Sequence, residues 1–268
     1  MDVSNISDKK TALITGASGG IGLELAKLFA RDGYNLVLVA RDEGKLDHVK
    51  TQLEKRRGIS VRTMPRDLAD PSAPEEIFNE LEQAGVQIDV LVNNAGYAMF
   101  DPFIEMDTRR VLDMLQVNIM ALTHLSRLFL PGMVQRGHGR VLNLGSTASF
   151  LPGPLMACYY ASKAYVLSFS EAIANELHGT GVTVTALCPG PTETGFQKRA
   201  SIENSRLIKG RRIMDAATVA RAGYKALMAG KPLVIPGLSN KLIPLMTRIS
   251  PRRLVPEVVK RSQERVDR

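Results

Sequence analysis

Short apolar runs alternate along the chain with longer stretches in which apolar residues recur every three or four positions. The short runs are typical of buried parallel strands, and the longer pattern is typical of helices with one buried face. Strands are predicted at Thr11–Thr15, Asn35–Ala40, Ile59–Met64, Ile88–Val92, Arg140–Leu144, Thr183–Leu187 and Leu233–Ile235. Helices are predicted near 22–32, 42–57, 72–84, 105–130, 157–178 and 216–229. The alternation predicts an α/β fold, a Rossmann-like doubly wound parallel sheet in a single domain, with ligands beyond the carboxyl ends of its strands.

A glycine-rich turn joins the first predicted strand to the first predicted helix. It reads Thr15-Gly-Ala-Ser-Gly-Gly-Ile-Gly22, and strand, glycine turn and helix are the context of a dinucleotide-binding fingerprint. Gly16 permits a tight turn, a glycine at 19 or 20 lets backbone N–H groups approach a pyrophosphate, and Gly22 allows the helix to pack closely on the strand. The alternative is an ordinary flexible turn before a helix.

A tyrosine and a lysine lie four residues apart at the start of a later predicted helix. Tyr159 and Lys163 therefore share a helix face, and Ser146 lies 13 residues before the tyrosine. An ammonium beside a phenol is expected to lower the phenol pKa from its usual value of about 10. A tyrosine so tuned exchanges protons with a carbonyl or alcohol near neutral pH. Tyr160 is the rival, but the residue one turn further on is alanine rather than lysine.

These motifs, with Asn93-Asn-Ala-Gly96 after the fourth strand, resemble those of the short-chain dehydrogenase/reductase family, from the first strand to about residue 195. The resemblance implies an NADP-preferring, single-domain member of that family. It implies the catalytic residues Asn118, Ser146, Tyr159 and Lys163. It implies the cofactor-binding residues Gly16, Ser18, Gly20, Ile21, Gly22, Arg41, Asp67, Leu68, Asn94, Ala95, Gly96, Tyr159, Lys163, Pro189, Gly190 and Thr192.

The family resemblance also implies a role for each catalytic residue. Ser146 positions the substrate oxygen, Tyr159 protonates it, and Lys163 stabilises the phenolate and bonds the nicotinamide ribose. Asn118 helps to hold a water that connects Lys163 to solvent, although a satisfied core asparagine is the alternative. Thr147 and Ser149 compete with Ser146, but only Ser146 has the interval to Tyr159 that the family shows.

The end of the second predicted strand decides the cofactor. An NAD enzyme is expected to carry an acid there, whereas this chain has Arg41, whose guanidinium suits a 2′-phosphate. The predicted cofactor is therefore NADP(H). The alternative is that Arg41 is simply an exposed arginine in a loop. Asp42 is expected to cap the next helix. Asp67 is expected to bond the adenine, to cap a turn, or to do both. Asn93 and Asn94 either contact the cofactor or act as scaffolding.

Composition and charge exclude several functional classes. The net charge of +8 is concentrated in residues 240–268, where eight Lys or Arg face three acids, so the rest of the chain does not indicate nucleic-acid binding. Cys158 and Cys188 are expected to be buried apolar residues, and four scattered histidines predict no metal site. The first ten residues lack the apolar segment of a secretory signal, and no run has the roughly 18 apolar residues of a membrane span. A cytoplasmic location is expected.

The basic C-terminal extension follows the last predicted strand. The predicted division is a dehydrogenase domain at 1–239 and an extension at 240–268, which Pro244, Pro251 and Pro256 divide into short pieces. Because these prolines weaken a continuous amphipathic helix, we expect the extension to pack on the domain or on a subunit interface, and membrane contact is not favoured. The resemblance implies a homodimer or homotetramer, assembled through helices 105–130 and 157–178.

The predicted function is an NADPH-dependent interconversion of a carbonyl and a secondary alcohol. Apolar segments at Tyr97–Phe103 and Phe150–Met156 favour a lipophilic substrate, while six basic residues in 191–212 suit either an anionic substrate or a solvated lid helix. The alternatives are a 3-oxoacyl-thioester reductase and a non-catalytic dinucleotide-binding protein. A nucleotide-sugar epimerase needs a larger C-terminal domain than the roughly 75 residues that follow Pro191 can form.

Overall fold

A computed structural model describes residues 9–55, 58–196, 200, 205 and 213–264. The strands are β1 Thr11–Thr15, β2 Asn35–Ala40, β3 Val61–Pro65, β4 Val90–Asn93, β5 Gly139–Leu144, β6 Val182–Leu187, β7 Thr192–Glu193, β8 Met214–Asp215 and β9 Leu233–Val234. Seven of them form one parallel sheet in the order β3-β2-β1-β4-β5-β6-β9, and β7 pairs with β8 separately. The predicted doubly wound parallel sheet is confirmed.

Helices cover both faces of this sheet. They are α1 Gly20–Arg31, α2 Glu43–Glu54, α3 Ala73–Gln83, α4 Thr108–Leu115, α5 Leu122–Gln135, α6 Ala157–Glu176, α7 Ala216–Met228, α8 Leu238–Ile249 and α9 Val255–Gln263. Residues of α1, α2 and α7 pack in one core cluster, and residues of α3, α5 and α6 pack in a second. The second strand shows why the sheet lies between them, because Leu36 and Leu38 face the first cluster while Val37 and Val39 face the second.

The predicted helix at 105–130 is three consecutive helical segments. Between α4 and α5 lies a π-helical stretch, Gln116–Ala121, and α5 continues through Pro131 to Gln135. The whole run Thr108–Gln135 has the length and apolar composition of a membrane span, contrary to the expectation from the sequence that no run is long and apolar enough. The same properties suit a core helix, and Val117, Leu125 and Phe129 pack in the second core cluster.

Several apolar residues on the two helices that the resemblance implied as an oligomer interface are buried inside the chain. Leu122, Leu125 and Phe129 on α5, and Val166 on α6, are all buried in the isolated chain. The apolar side chains exposed on these segments are different ones, namely Leu112, Met120, Val134 and Tyr165. The four buried residues of the implied oligomer interface therefore belong to the core of the chain.

The C-terminal extension is helical, and one of its prolines does not interrupt it. Pro244 lies inside α8, contrary to the expectation that it would break a continuous helix. Pro256 stands in the first turn of α9, where the missing N–H has no helical partner to lose. The predicted boundary at residue 240 falls within α8, which begins at Leu238. Most of the predicted lid at 191–212 lies outside the described residues.

Candidate active site

A cleft of about 1370 Å³ opens beyond the carboxyl ends of the central strands. All of the predicted site residues line it except Gly22 and Asn118. The strand ends bring them together, because parallel strands place the loops after β1, β4 and β5 at one edge of the sheet. Segments far apart in the sequence therefore meet in one cleft.

The glycine turn forms one wall of this cleft. Gly16 has a φ of +67°, which is accessible to glycine, and a Cβ at Gly22 would overlap the carbonyl oxygen of Gly16. Gly22 therefore serves helix packing rather than ligand contact. No side chain caps the N-terminus of α1, and Ser18, Gly19 and Gly20 line the cleft there. Uncapped N–H groups at a helix N-terminus suit a phosphate group.

The Asn-Asn motif after β4 ties adjacent strands together. Asn94 donates from Nδ2 to the carbonyl oxygens of Thr15 at 2.8 Å and Gly16 at 3.2 Å. The Thr15 hydroxyl accepts in return from the backbone N–H groups of Asn94 and Ala95. Asn93 donates to Asn143 Oδ1 at 2.9 Å in the buried sheet. Scaffolding is thus an observed role of both asparagines, and cofactor contact by Asn94 stays a prediction.

Arg41 and Asp67 stand at the end of the cleft next to β2. Arg41 Nη1 lies 3.8 Å from Asp67 Oδ2, and the arginine side chain is 69% exposed. Asp67 Oδ1 accepts a hydrogen bond from the backbone N–H of Ala69, which is the turn-capping role anticipated for it. Asp42 accepts from the N–H of Lys45 at the start of α2, so it is the predicted N-cap. The Arg41 guanidinium is held only loosely.

Ser146 begins the short 3₁₀ helix Thr147–Phe150, which positions it beside the tyrosine. Its hydroxyl accepts from Ala148 N–H and lies 3.5 Å from the carbonyl oxygen of Pro189. Ser149 does not compete for the same role, because it is buried and donates its hydroxyl proton to the carbonyl oxygen of Lys163 at 2.7 Å. Ser149 instead joins the serine segment to helix α6.

Tyr159 and Lys163 are both buried in the cleft wall. Lys163 Nζ donates to the carbonyl oxygen of Leu144 at 2.7 Å and lies 5.8 Å from the centre of the Tyr159 ring. Burial raises the pKa of Tyr159, against a smaller lowering by its hydrogen bond with Ser146. Burial also lowers the pKa of Lys163 to about 8. The structure therefore contradicts the expected fall in the Tyr159 pKa, because desolvation is the largest influence on the phenol.

Asn118 lies behind the lysine rather than in the cleft. It is buried in the π-helical stretch, where Oδ1 accepts from Tyr97 N–H and Nδ2 donates to the Tyr97 carbonyl oxygen and to Ser162 Oγ. A Cβ at Gly96 would lie 3.0 Å from Asn118 Oδ1 and 3.4 Å from Lys163 Nζ, so the three groups meet at one point. Isolated π-helical turns frequently occur at functional sites.

The C-terminal helices supply cleft residues that the sequence did not identify. Gln263 on α9 donates a hydrogen bond to the Tyr160 hydroxyl, and Val259 packs among the aromatic residues of the cleft. Asn240 on α8 packs so closely on Gly190 that a Cβ there would lie 2.6 Å from its amide. The extension matches no motif, and only its apolar spacing hinted at packing. Among the described residues, no group of three or more His, Cys, Asp or Glu could hold a metal ion.

The sequence profile of the short chain dehydrogenase family matches residues 10–205 of this chain. The chain therefore belongs to the short-chain dehydrogenase family, which confirms the resemblance inferred from its motifs. The matched region contains the glycine turn, the Asn-Asn motif and all four predicted catalytic positions.

Curated proteins similar to this chain are named as reductases. A very-long-chain 3-oxoacyl-CoA reductase of Pyrenophora tritici-repentis is 35% identical over 79% of this chain and 63% of its own length. Sulfoacetaldehyde reductase 2 of Chromohalobacter salexigens is 37% identical over 69% of this chain and 73% of its own length. The chain thus spans less than two thirds of the first of these relatives.

Solved structures extend the similarity to almost the whole fold. A short-chain dehydrogenase from Sphingobium yanoikuyae in complex with NADPH has a TM-score of 0.80 and 32% identity, over 90% of this chain and 96% of that one. The bulky-bulky ketone specific alcohol dehydrogenase from Comamonas testosteroni has a TM-score of 0.76 and 29% identity, over 92% of this chain and 99% of that one.

Proposed function

We propose that this protein is an NADPH-dependent oxidoreductase that interconverts a carbonyl and a secondary alcohol. One observation carries the proposal, namely that Tyr159, Ser146 and Lys163 meet in the wall of a cleft whose other end presents Arg41. A non-catalytic dinucleotide-binding protein has no need of a buried tyrosine with a hydrogen-bonded serine beside it. The reductases among the similar proteins support the same conclusion.

The cleft fits a dinucleotide with a 2′-phosphate. The uncapped N-terminus of α1 offers backbone N–H groups to the pyrophosphate. Gly19 and Gly20 carry no side chain that would block its approach. Arg41 then lies where a guanidinium is expected to bind the 2′-phosphate. The NADPH in the Sphingobium yanoikuyae structure supports this choice of cofactor.

In reduction, the bound nicotinamide would supply a hydride to the carbonyl carbon. Ser146 donates a hydrogen bond to the carbonyl oxygen and orients it, and Tyr159 delivers the proton to that oxygen. Lys163 stabilises the phenolate that remains, and its Nζ is held by the hydrogen bond to the carbonyl oxygen of Leu144. Asn118 lies near the lysine, across Gly96. Because burial raises the pKa of Tyr159, the phenol is protonated near neutral pH, as a proton donor must be.

The substrate end of the cleft is apolar, and it favours a lipophilic carbonyl compound. Met156, Tyr160, Phe196 and Val259 line it, and Phe196 stacks at an angle on Tyr159 with ring centres 5.6 Å apart. A 3-oxoacyl thioester is the second candidate, favoured by the names of several relatives. A very-long-chain thioester carries a long apolar chain, so both candidate substrates suit the apolar lining at this end of the cleft.

An NADPH-oxidation screen tests the proposal. The panel contains 3-oxoacyl thioesters of increasing chain length, bulky aromatic ketones and sulfoacetaldehyde. We expect turnover with the lipophilic compounds and a kcat/KM that rises with apolar size. No NADPH oxidation with any member would refute the reductase assignment, and activity confined to sulfoacetaldehyde would refute the lipophilic substrate.

We also infer a homo-oligomer, a dimer or tetramer, in the cytoplasm. The support is the exposed apolar face of the run Thr108–Gln135, where Leu112 and Met120 are each 57% exposed, together with Tyr165 on α6. A monomer at micromolar concentration in sedimentation velocity would contradict the assembly. Fractionation of cells that express the protein tests its location.

A further inference from the structure

Helix α8 presents a continuous apolar stripe to solvent. Leu238, Leu242, Leu245, Met246 and Ile249 recur at helical spacing, so they share one face. All five are exposed, Leu238 to 82% and Ile249 to 70%, and α8 contains no buried residue. Leu254 and Val258 extend the apolar surface onto α9. Exposed apolar patches of this kind mark an interaction surface.

Basic side chains surround this stripe. Six lie on or beside the two C-terminal helices, against only Glu257 and Glu264; they are Lys241, Arg248, Arg252, Arg253, Lys260 and Arg261. All six are exposed, and none forms an ion pair within the part of the chain that the structure describes. The surface therefore combines unpaired positive charge with exposed apolar residues.

The opposite side of the same helices forms the cleft. Ser239, Asn240 and Ile243 of α8, and Val259 and Ser262 of α9, line it. The apolar stripe and the substrate end of the cleft are therefore two sides of one thin wall. A lipophilic compound released from a surface that contacts α8 has a short path to Tyr160 and Tyr159.

The exposed stripe runs against the expectation from the sequence that membrane contact is not favoured. We propose that the stripe on α8 binds an anionic lipid bilayer, with its apolar residues inserted at the headgroup boundary and the basic residues facing anionic headgroups. A helix with an apolar face and a basic rim is the form that interfacial membrane helices take. A second copy of this chain is the rival occupant. Stripe-to-stripe contact between two copies would bring like charges together, because no acid lies between residues 238 and 256 to oppose them.

Vesicle co-sedimentation of the full chain tests the proposal without substrate or cofactor, so its failure is separate from failure of the reductase assignment. The vesicles contain phosphatidylcholine alone or mixed with phosphatidylserine. We expect binding only to the mixed vesicles, weakened by added salt. Arg252→Gln with Arg253→Gln is expected to weaken binding roughly 30-fold, since each basic residue near an anionic surface contributes about 1 kcal/mol to the affinity. Leu242→Gln with Leu245→Gln is expected to weaken it further.

Lys225→Gln with Lys231→Gln is the matched control, because it removes two exposed charges from another part of the surface. It should leave vesicle binding unchanged. Wild-type protein that does not bind the mixed vesicles, or binds them equally well after the Arg252 and Arg253 changes, would overturn the proposal. A sedimentation coefficient that falls in the Leu242 and Leu245 variant, without vesicle binding by the wild type, would assign the stripe to a second copy.

Discussion

Replacement of Arg41 tests the cofactor assignment quantitatively. A hydrogen bond between a guanidinium and a phosphate contributes about 1.5–3 kcal/mol. Because the Arg41 side chain is 69% exposed, we expect the lower end of that range. Arg41→Ala should then reduce kcat/KM for NADPH by about tenfold and leave kcat/KM for NADH nearly unchanged. Arg41→Asp adds repulsion between two anions, so it should reverse the preference and favour NADH.

The assay is the ratio of kcat/KM values for the two cofactors with one carbonyl substrate. Arg62→Ala is the matched control, because Arg62 makes a comparably long ion pair, 3.9 Å to Glu80, and does not line the cleft. The exposed pair with Asp67 contributes at most about 1 kcal/mol, so Arg41→Ala should scarcely change the free energy of unfolding. A wild type that prefers NADH, or an Arg41→Ala variant with an unchanged ratio, would refute the reasoning.

Three further predictions follow from the packing. Gly22→Ala should destabilise the fold by about 2–3 kcal/mol, since its Cβ would overlap Gly16. Gly19→Ala is the control, because a Cβ there has no neighbour within 4 Å and should not destabilise the fold. Thermal unfolding of the two variants distinguishes them. Tyr160→Phe should lower the free energy of unfolding by about 1–3 kcal/mol, because it removes the hydrogen bond from Gln263, but should leave kcat unchanged. A loss of kcat in this variant would contradict a purely structural role for the Tyr160 hydroxyl. Between pH 8 and the ordinary lysine pKa of 10.5, Lys163 binds fewer protons in the folded state than in the unfolded state. Across that window, the free energy of unfolding of the wild type should therefore rise by up to about 3 kcal/mol relative to that of Lys163→Met. Denaturant unfolding at several pH values measures this, and parallel pH profiles would contradict it.

The core of the fold was predictable because its strands are buried on both faces. In a run such as Asn35–Ala40, apolar residues lie on both faces of the strand, and the structure forms β2 over those same residues. The ends of the strands were less predictable. Ile59 and Ile88 are buried, but each lies before the first residue of the strand to which it was assigned. Pro244 shows the limit of a local rule, because α8 continues through it from Leu238 to Ile249.

The site was predictable as far as it rests on fixed spacing along one element. The spacing of four residues located Tyr159 and Lys163 in one wall of the cleft, but it could not show that burial would raise the tyrosine pKa. That pKa depends on every group packed around the ring. The contact between Tyr160 and Gln263 joins residues 103 positions apart, and no periodicity in the sequence encodes such a pair.

Turnover by the Tyr159→Phe variant tests the central claim most directly. The measurement is the rate of NADPH oxidation with the best carbonyl substrate of the panel, alongside the Kd for NADPH from fluorescence titration. Loss of a positioned proton donor should reduce kcat by about 10²–10⁴-fold and leave the Kd nearly unchanged. A kcat that falls only slightly, and by the same factor as in Tyr160→Phe, would contradict the assignment of Tyr159 as the proton donor.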